Sequence, residues 1–217
     1  MSKRIGSIFP MIFCLLIGAV FVLILCIPQT RSVFKEVTAI HPFLMGFVKF
    51  SLLATVGELF AARLEKKCWQ FPRGVVAKFV VWGFFGIVIA LMFKVYSGGV
   101  AFIIQSGIID GKVGGIWSAF LTSLIMNATF GMALMISHKV TDTMINLKCE
   151  KRQISVENVI SSIDFKTLMG FTIMKTIPLF WIPVHTICFM LPGEYQIMFA
   201  AFLSIVLGVI LSLKKGY

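Results

Sequence analysis

Three ionisable side chains, Lys49, Glu58 and Lys175, lie inside long apolar runs of this 217-residue chain. A charge at membrane depth is costly and is retained where it faces a partner, a cavity or a permeating species. Ser51, Thr55, Glu58 and Ala62 recur at helical spacing and form one narrow polar or small stripe. Such a stripe can line a route for ions or small polar solutes, or it can lock two helices together. Lys49 is half a helical turn away from Glu58, so the two do not pair along one helix. The expected cation for Glu58 is Lys175, from another segment.

His185 and Asn127 are the next polar candidates. A histidine there either couples to protons or serves as a hydrogen-bonded structural residue. Ser123, Asn127 and Gly131 share one helix face, while Ser118, Thr122 and Thr129 share another. Small and hydroxyl residues favour close helix packing, and Asn127 either joins that packing or lines a cavity. Residues 175–196 carry Lys175, Pro178, Pro183, His185 and Pro192 in an otherwise apolar run. Each proline removes a backbone donor, and in lipid the freed carbonyl needs a partner inside the protein. This segment is therefore expected to be an irregular, buried helix.

Soluble-enzyme chemistry is not encoded. The chain has no HExxH, GxSxG or phosphate-binding-loop motif, and His41, His138 and His185 are scattered. Of nine acidic residues only Glu58 sits within an apolar run. The five cysteines form no CxxC pair, so no metal site, cofactor or disulfide framework is expected. We expect no enzymatic activity.

The elements that must position these residues follow from composition. The chain is 59% hydrophobic and 13% charged, against roughly 25% charged in soluble domains. A crossing needs about 20 apolar residues, and six runs qualify: 8–27, 42–64, 75–96, 115–137, 167–191 and 195–213. The first is too long for a signal-peptide core and lacks a small-residue cleavage site, so it reads as an uncleaved first span. The expected fold is an all-α polytopic helix bundle of one integral membrane domain.

With the N-terminus inside, thirteen Lys and Arg residues fall on the inner side, and four (Arg31, Lys35, Lys94 and Lys112) fall outside. That bias places both termini in the cytoplasm and suits a bacterial cytoplasmic membrane. It also accounts for the net charge of +11 without nucleic acid. The basic inner segment 138–152 suits anionic lipid, and self-association stays open. Residues 98–111, bounded by glycines, are expected to lie in the interface or re-enter the membrane. Ser155 can cap a short helix whose Val156, Val159, Ile160 and Ile163 form an apolar stripe for the inner membrane surface.

The C-terminal third also carries an ordered set of residues. Trp181, His185, Cys188-Phe189, Pro192 and Tyr195-Gln196 precede a last apolar run that closes with Leu211-Ser212. This order resembles the signature of the Mpv-seventeen and twenty-two-kilodalton peroxisomal membrane protein family: Trp-Pro, Gln, Asn-Phe, Pro, Tyr-Arg, then a helix ending in Leu-Ser. Gly83-Phe84-Phe85-Gly86 followed by Phe93-Lys94 is similar to that family's Gly-rich helix, and Gly57-Glu58 occupies the place of its Gly-Asp. The chain departs from the pattern at His185, Cys188 and Gln196, at Ile87 where a proline is usual, and at Pro183, which comes one residue late. One residue is also missing between Phe189 and Pro192. The resemblance spans about residues 42–212 and implies a small integral membrane protein that forms a channel or affects metabolite permeability. The reading that competes with transport is a structural or interaction subunit of a membrane complex.

Overall fold

Prolines and glycines set most helix boundaries in the computed structural model, which describes residues 8–214. Helix α1 (Phe9–Cys26) has Pro10 in its first turn, α2 (Pro28–Ile40) opens on Pro28, and α3 (Pro42–Lys66) opens on Pro42. Proline is suited to a first turn, where its missing N–H has no intrahelical partner to serve. Helix α4 (Val75–Gln105) is followed by α5 (Ile116–Met126), a π-helical turn π1 (Asn127–Gly131) and α6 (Met132–Cys149). Two short helices, α7 (Val156–Ser161) and α8 (Phe165–Thr167), lead into a long π-helical stretch π2 (Leu168–Trp181). Helices α9 (Ile182–Met190) and α10 (Gly193–Lys214) complete the chain. No strand occurs among the described residues, and the fold is all-α.

Five helical stretches are long and apolar enough to cross a bilayer: Phe9–Cys26, Pro42–Lys66, Val75–Gln105, Ile116–Cys149 and Phe165–Met190. This is the organisation of a multi-pass membrane protein. The expected sixth span corresponds to α10, whose apolar part, Gly193–Leu207, is shorter. Lys3, Arg4 and Lys215, counted in the charge bias, lie outside the described residues.

Two expectations need correction, and one further helix forms. Segment 98–111 does not re-enter as a loop: α4 continues through Gly98 and Gly99 to Gln105, a 31-residue helix about 46 Å long. It stops where Gly107 adopts φ +72°, a left-handed conformation that glycine takes without steric cost. The link between the first two spans is the helix α2 rather than a loop. The basic segment 138–152 is helical as far as Cys149, because α6 extends well past the predicted end of the fourth span.

The chain folds as two units whose division falls inside α4. The first holds the described residues up to Ile87 together with those from Ile197 onward. Helix α3 is its centre: 56% of its most apolar window is buried, against 11% for α1. Helices α1 and α2 pack on α3, and Cys14, Val56 and Leu59 meet Phe13, Ile17, Trp69 and Ile205 in one apolar cluster. α3 and α4 approach closely at two glycines. A methyl at Gly86 would run into the Gly46 carbonyl, and one at Gly83 into the Phe47 ring.

The second unit, Val88–Gln196, pairs α5 with α9 and α6 with both α7 and π2. Pro178 lies inside π2 and Pro183 in the first turn of α9, yet the helix is continuous from Phe165 to Met190. The wide π winding moves the backbone out of the proline rings' way, so the expected break is a change of helix type. The Ile182 carbonyl receives two hydroxyls, from Ser123 at 2.7 Å and Thr186 at 2.8 Å. The helix ends at extended Leu191, just before Pro192. Cys188 Sγ donates to the Gln196 carbonyl at 3.1 Å, and Gln196 Nε2 donates to the Leu191 carbonyl at 2.9 Å.

The capped helix after the basic segment forms as expected, with Ser155 Oγ accepting from the Asn158 amide at 3.1 Å. It is one and a half turns long, and only half of its stripe is free. Val159 and Ile163 are buried, while Val156 and Ile160 are exposed. Asp164 caps the fifth span, its two oxygens accepting from the Thr167 amide at 3.0 Å and the Thr167 hydroxyl at 2.6 Å. Those bonds hold the Asp164 carboxyl below its ordinary range.

Two predictions follow from this packing. Gly86→Ala should lower stability in detergent by roughly 1–3 kcal/mol, because backbone must move. Gly83→Ala should lower it less, because an aromatic ring can turn aside. Equal melting shifts for the two would contradict the close α3–α4 approach. For Asp164 the folded pKa lies below the unfolded one. Its stabilisation is complete above the unfolded value near ~3.9 and is lost as pH falls through the lower folded value. Amide exchange at Thr167 should therefore accelerate on acidification through that window, and Asp164→Asn should remove the pH dependence.

Candidate functional site

Two polar clusters form, one in each unit. In the first, Glu58 on α3 accepts from Trp82 Nε1 at 2.8 Å through one oxygen and meets Lys78 Nζ at 3.5 Å through the other. Lys78 and Trp82 are one turn apart on α4, so a single helix face presents both groups. Trp82 also stacks on Phe50, with centroids 6.3 Å apart. The cation expected for Glu58 was Lys175. Among the described residues the cation found beside Glu58 is Lys78, within the same unit. The sequence did hold the signal. Lys78 is a further cation within an apolar run, four residues before an indole donor.

Ser51 and Thr55 lie one turn apart on the α3 face that leads to Glu58. Both are buried, and neither hydroxyl has a hydrogen-bond partner among the described residues. A helical hydroxyl usually bonds to the carbonyl one turn back, and these two do not. Lys49, 1% exposed, is held separately. Its Nζ donates to Thr38 Oγ1 at 3.0 Å and lies 4.3 Å from the centroid of the Phe34 ring. Both partners sit on the buried face of α2. Their role was not legible because the segment between the first two spans looks like a linker.

The second cluster surrounds His185 on α9. Its Nδ1 lies 3.2 Å from Asn127 Oδ1 and 3.1 Å from Asn127 Nδ2. Asn127 opens π1, and its Nδ2 also donates to the Ser123 carbonyl at 2.8 Å. The His185 ring stacks on Trp181, centroids 5.1 Å apart, and meets the edge of Phe93 at 5.7 Å. Phe189, one turn further on, packs on the same Phe93 at 4.8 Å. Trp181 Nε1 is buried without a hydrogen-bond partner among the described residues.

Within the first unit Ser51, Thr55 and Glu58 share one face of α3 and Lys49 is bound by α2, while within the second unit Asn127, His185 and Trp181 meet and the Lys175 side chain is exposed. Pro178 and Pro183 shape the fifth span, while Pro192 and Tyr195 form the turn into α10, with the Tyr195 amide donating to the Pro192 carbonyl at 2.9 Å. Among the described residues no group of three metal-ligating side chains occurs.

The Glu58–Lys78 pair is partly exposed, with side-chain accessibilities of 21% and 14%, so its coupling should be modest. A double-mutant cycle with Glu58→Gln and Lys78→Met should give about 1 kcal/mol, and Lys175→Met should leave stability within about 0.5 kcal/mol. A larger effect at Lys175 than at Lys78 in chemical denaturation would contradict the pairing seen here.

Comparisons of the chain with protein-family models, curated proteins and solved structures gave no match, so the chemistry of these clusters is argued from their own residues.

Proposed function

We propose that the protein moves a small polar solute or ion across its membrane along the α3 face that bears Ser51, Thr55 and Glu58. The observation that carries this reading is the pair of buried hydroxyls without a partner among the described residues, one turn apart and in line with a carboxylate. A buried polar group left unsatisfied costs about 1–3 kcal/mol. A passing solute or water would supply the missing bonds. Glu58, its charge offset by Lys78 and Trp82, would bias the route toward cations or neutral polar molecules over anions. The order Trp181, Phe189, Pro192 and Tyr195, similar to that of the Mpv-seventeen and twenty-two-kilodalton family, supports the same reading.

The second reading is a structural subunit. It is favoured by the partners that Lys49, Glu58, Asn127 and His185 each find within the protein. Purified protein in liposomes separates the two. Under the transport reading, K+ or glycerol flux exceeds that of empty vesicles. Ser51→Ala combined with Thr55→Val should cut it by about tenfold, the equivalent of ~1.4 kcal/mol in barrier height. Thermal stability should hold or rise, because two unsatisfied groups are removed. Vesicles no leakier than protein-free ones to either probe would overturn transport and leave the structural reading.

A further inference from the structure

The second cluster supports an inference that does not depend on the α3 pathway. Asn127 and His185 face each other through one imidazole nitrogen, and two arrangements satisfy the distances. In one, Asn127 Nδ2 donates to Nδ1 at 3.1 Å, the imidazole proton is on Nε2, and the buried Asn127 Oδ1 has no donor. In the other, His185 Nδ1–H donates to Oδ1 at 3.2 Å.

The bonds to Ser123 decide between them. Asn127 Nδ2 has two hydrogens. One goes to the Ser123 carbonyl at 2.8 Å, and the other can reach Ser123 Oγ at 3.2 Å. Ser123 Oγ is able to accept because its own hydrogen goes to the Ile182 carbonyl at 2.7 Å. With Nδ1–H donating to Oδ1, every polar atom of Ser123 and Asn127 is satisfied. The alternative leaves an orphaned oxygen at a residue only 2% exposed, which costs about 1–3 kcal/mol. The second-neighbour bonds therefore set the tautomer.

An Nδ1–H imidazole carries its lone pair on Nε2. The ring's hydrogen bonds to described residues all run through Nδ1, so that lone pair is an uncommitted acceptor. Trp181, on the stacked ring one turn earlier, contributes the opposite function. Its Nε1–H is a donor only, and it is buried with no partner among the described residues. Two complementary groups are thus left over on stacked rings whose centroids lie 5.1 Å apart, and Phe93 packs against the imidazole.

We propose that His185 Nε2 and Trp181 Nε1 form a two-point site for a hydroxyl group, which accepts from the indole and donates to the imidazole. Water is the smallest molecule that fits this chemistry, and a small polyol offers the same group. A carboxylate or phosphate would satisfy Trp181 but repel the Nε2 lone pair, and a cation would do the reverse.

The test is solid-state NMR on the full chain in liposomes, labelled with 15N-His and 15N-Trp. His41→Gln and His138→Gln identify the His185 signals, and the pH is held above the imidazole range. The expected result is a protonated Nδ1, an unprotonated Nε2, and magnetisation transfer from water to both His185 and the Trp181 indole. Trp181→Phe should keep the tautomer and the ring contact, yet shift the Nε2 resonance and abolish the water transfer at His185. Asn127→Leu should remove the Nδ1–H preference. Glycerol added to the vesicles should shift the Trp181 indole if a polyol hydroxyl can replace water, and no shift would refute the polyol while leaving water. An Nε2–H tautomer in the parent chain, or no water transfer to either ring, would overturn the proposal.

Discussion

Satisfying the backbone without water is the constraint on which the rest of this protein depends. Inside a bilayer each N–H and C=O must be bonded within the protein, and prolines in a span make that difficult. The stretch from Phe165 to Met190 resolves the difficulty by changing its winding. Fourteen residues adopt π geometry, Pro178 sits within them, and Pro183 falls in the first turn of the α-helix that follows. The Ser123 and Thr186 hydroxyls cover the Ile182 carbonyl at the junction between the two windings. That junction also places Trp181 and His185 one turn apart with stacked rings. The adaptation to proline is therefore the same feature that assembles the second polar cluster.

A related economy governs α3. It is the most buried of the long apolar helices, and it carries the first unit's polar groups on a background of close packing. Gly46 of α3 and Gly86 of α4 let the two helices touch backbone to backbone. Close approach brings Lys78 and Trp82 within reach of Glu58. Lys49 is served from the other side by α2, whose Phe34 and Thr38 combine an aromatic face and a hydroxyl acceptor. A strongly hydrated ammonium group can be buried here because both partners are short and already fixed on one helix face.

Much of the architecture was legible in the residues. The long apolar runs and the Ser155 cap rest on local chemistry. The boundaries were less legible. α4 and α6 continue past their apolar stretches because nothing in residues 97–105 or 138–149 stops a helix, and hydropathy measures where lipid ends rather than where hydrogen bonding ends. Helix α2 was hidden for the complementary reason: a polar, amphipathic segment between two spans resembles a linker until its buried face, Phe34 and Thr38, meets Lys49.

Pairing marks the boundary between what sequence and structure each decide. The sequence by itself determined an all-α membrane protein, the identity of most of its intramembrane polar residues, and that a charged partner of Glu58 comes from another helix. Periodicity and transfer free energy act along the chain, so they can be read from it. The tertiary structure alone decided that Lys78 pairs with Glu58, that Asn127 binds His185, and that Ser51, Thr55 and Trp181 keep polar atoms unsatisfied among the described residues. Those outcomes depend on helix rotation and crossing over a few ångströms. Such distances are set by the fit of glycines, rings and π turns between helices, which no single helix encodes.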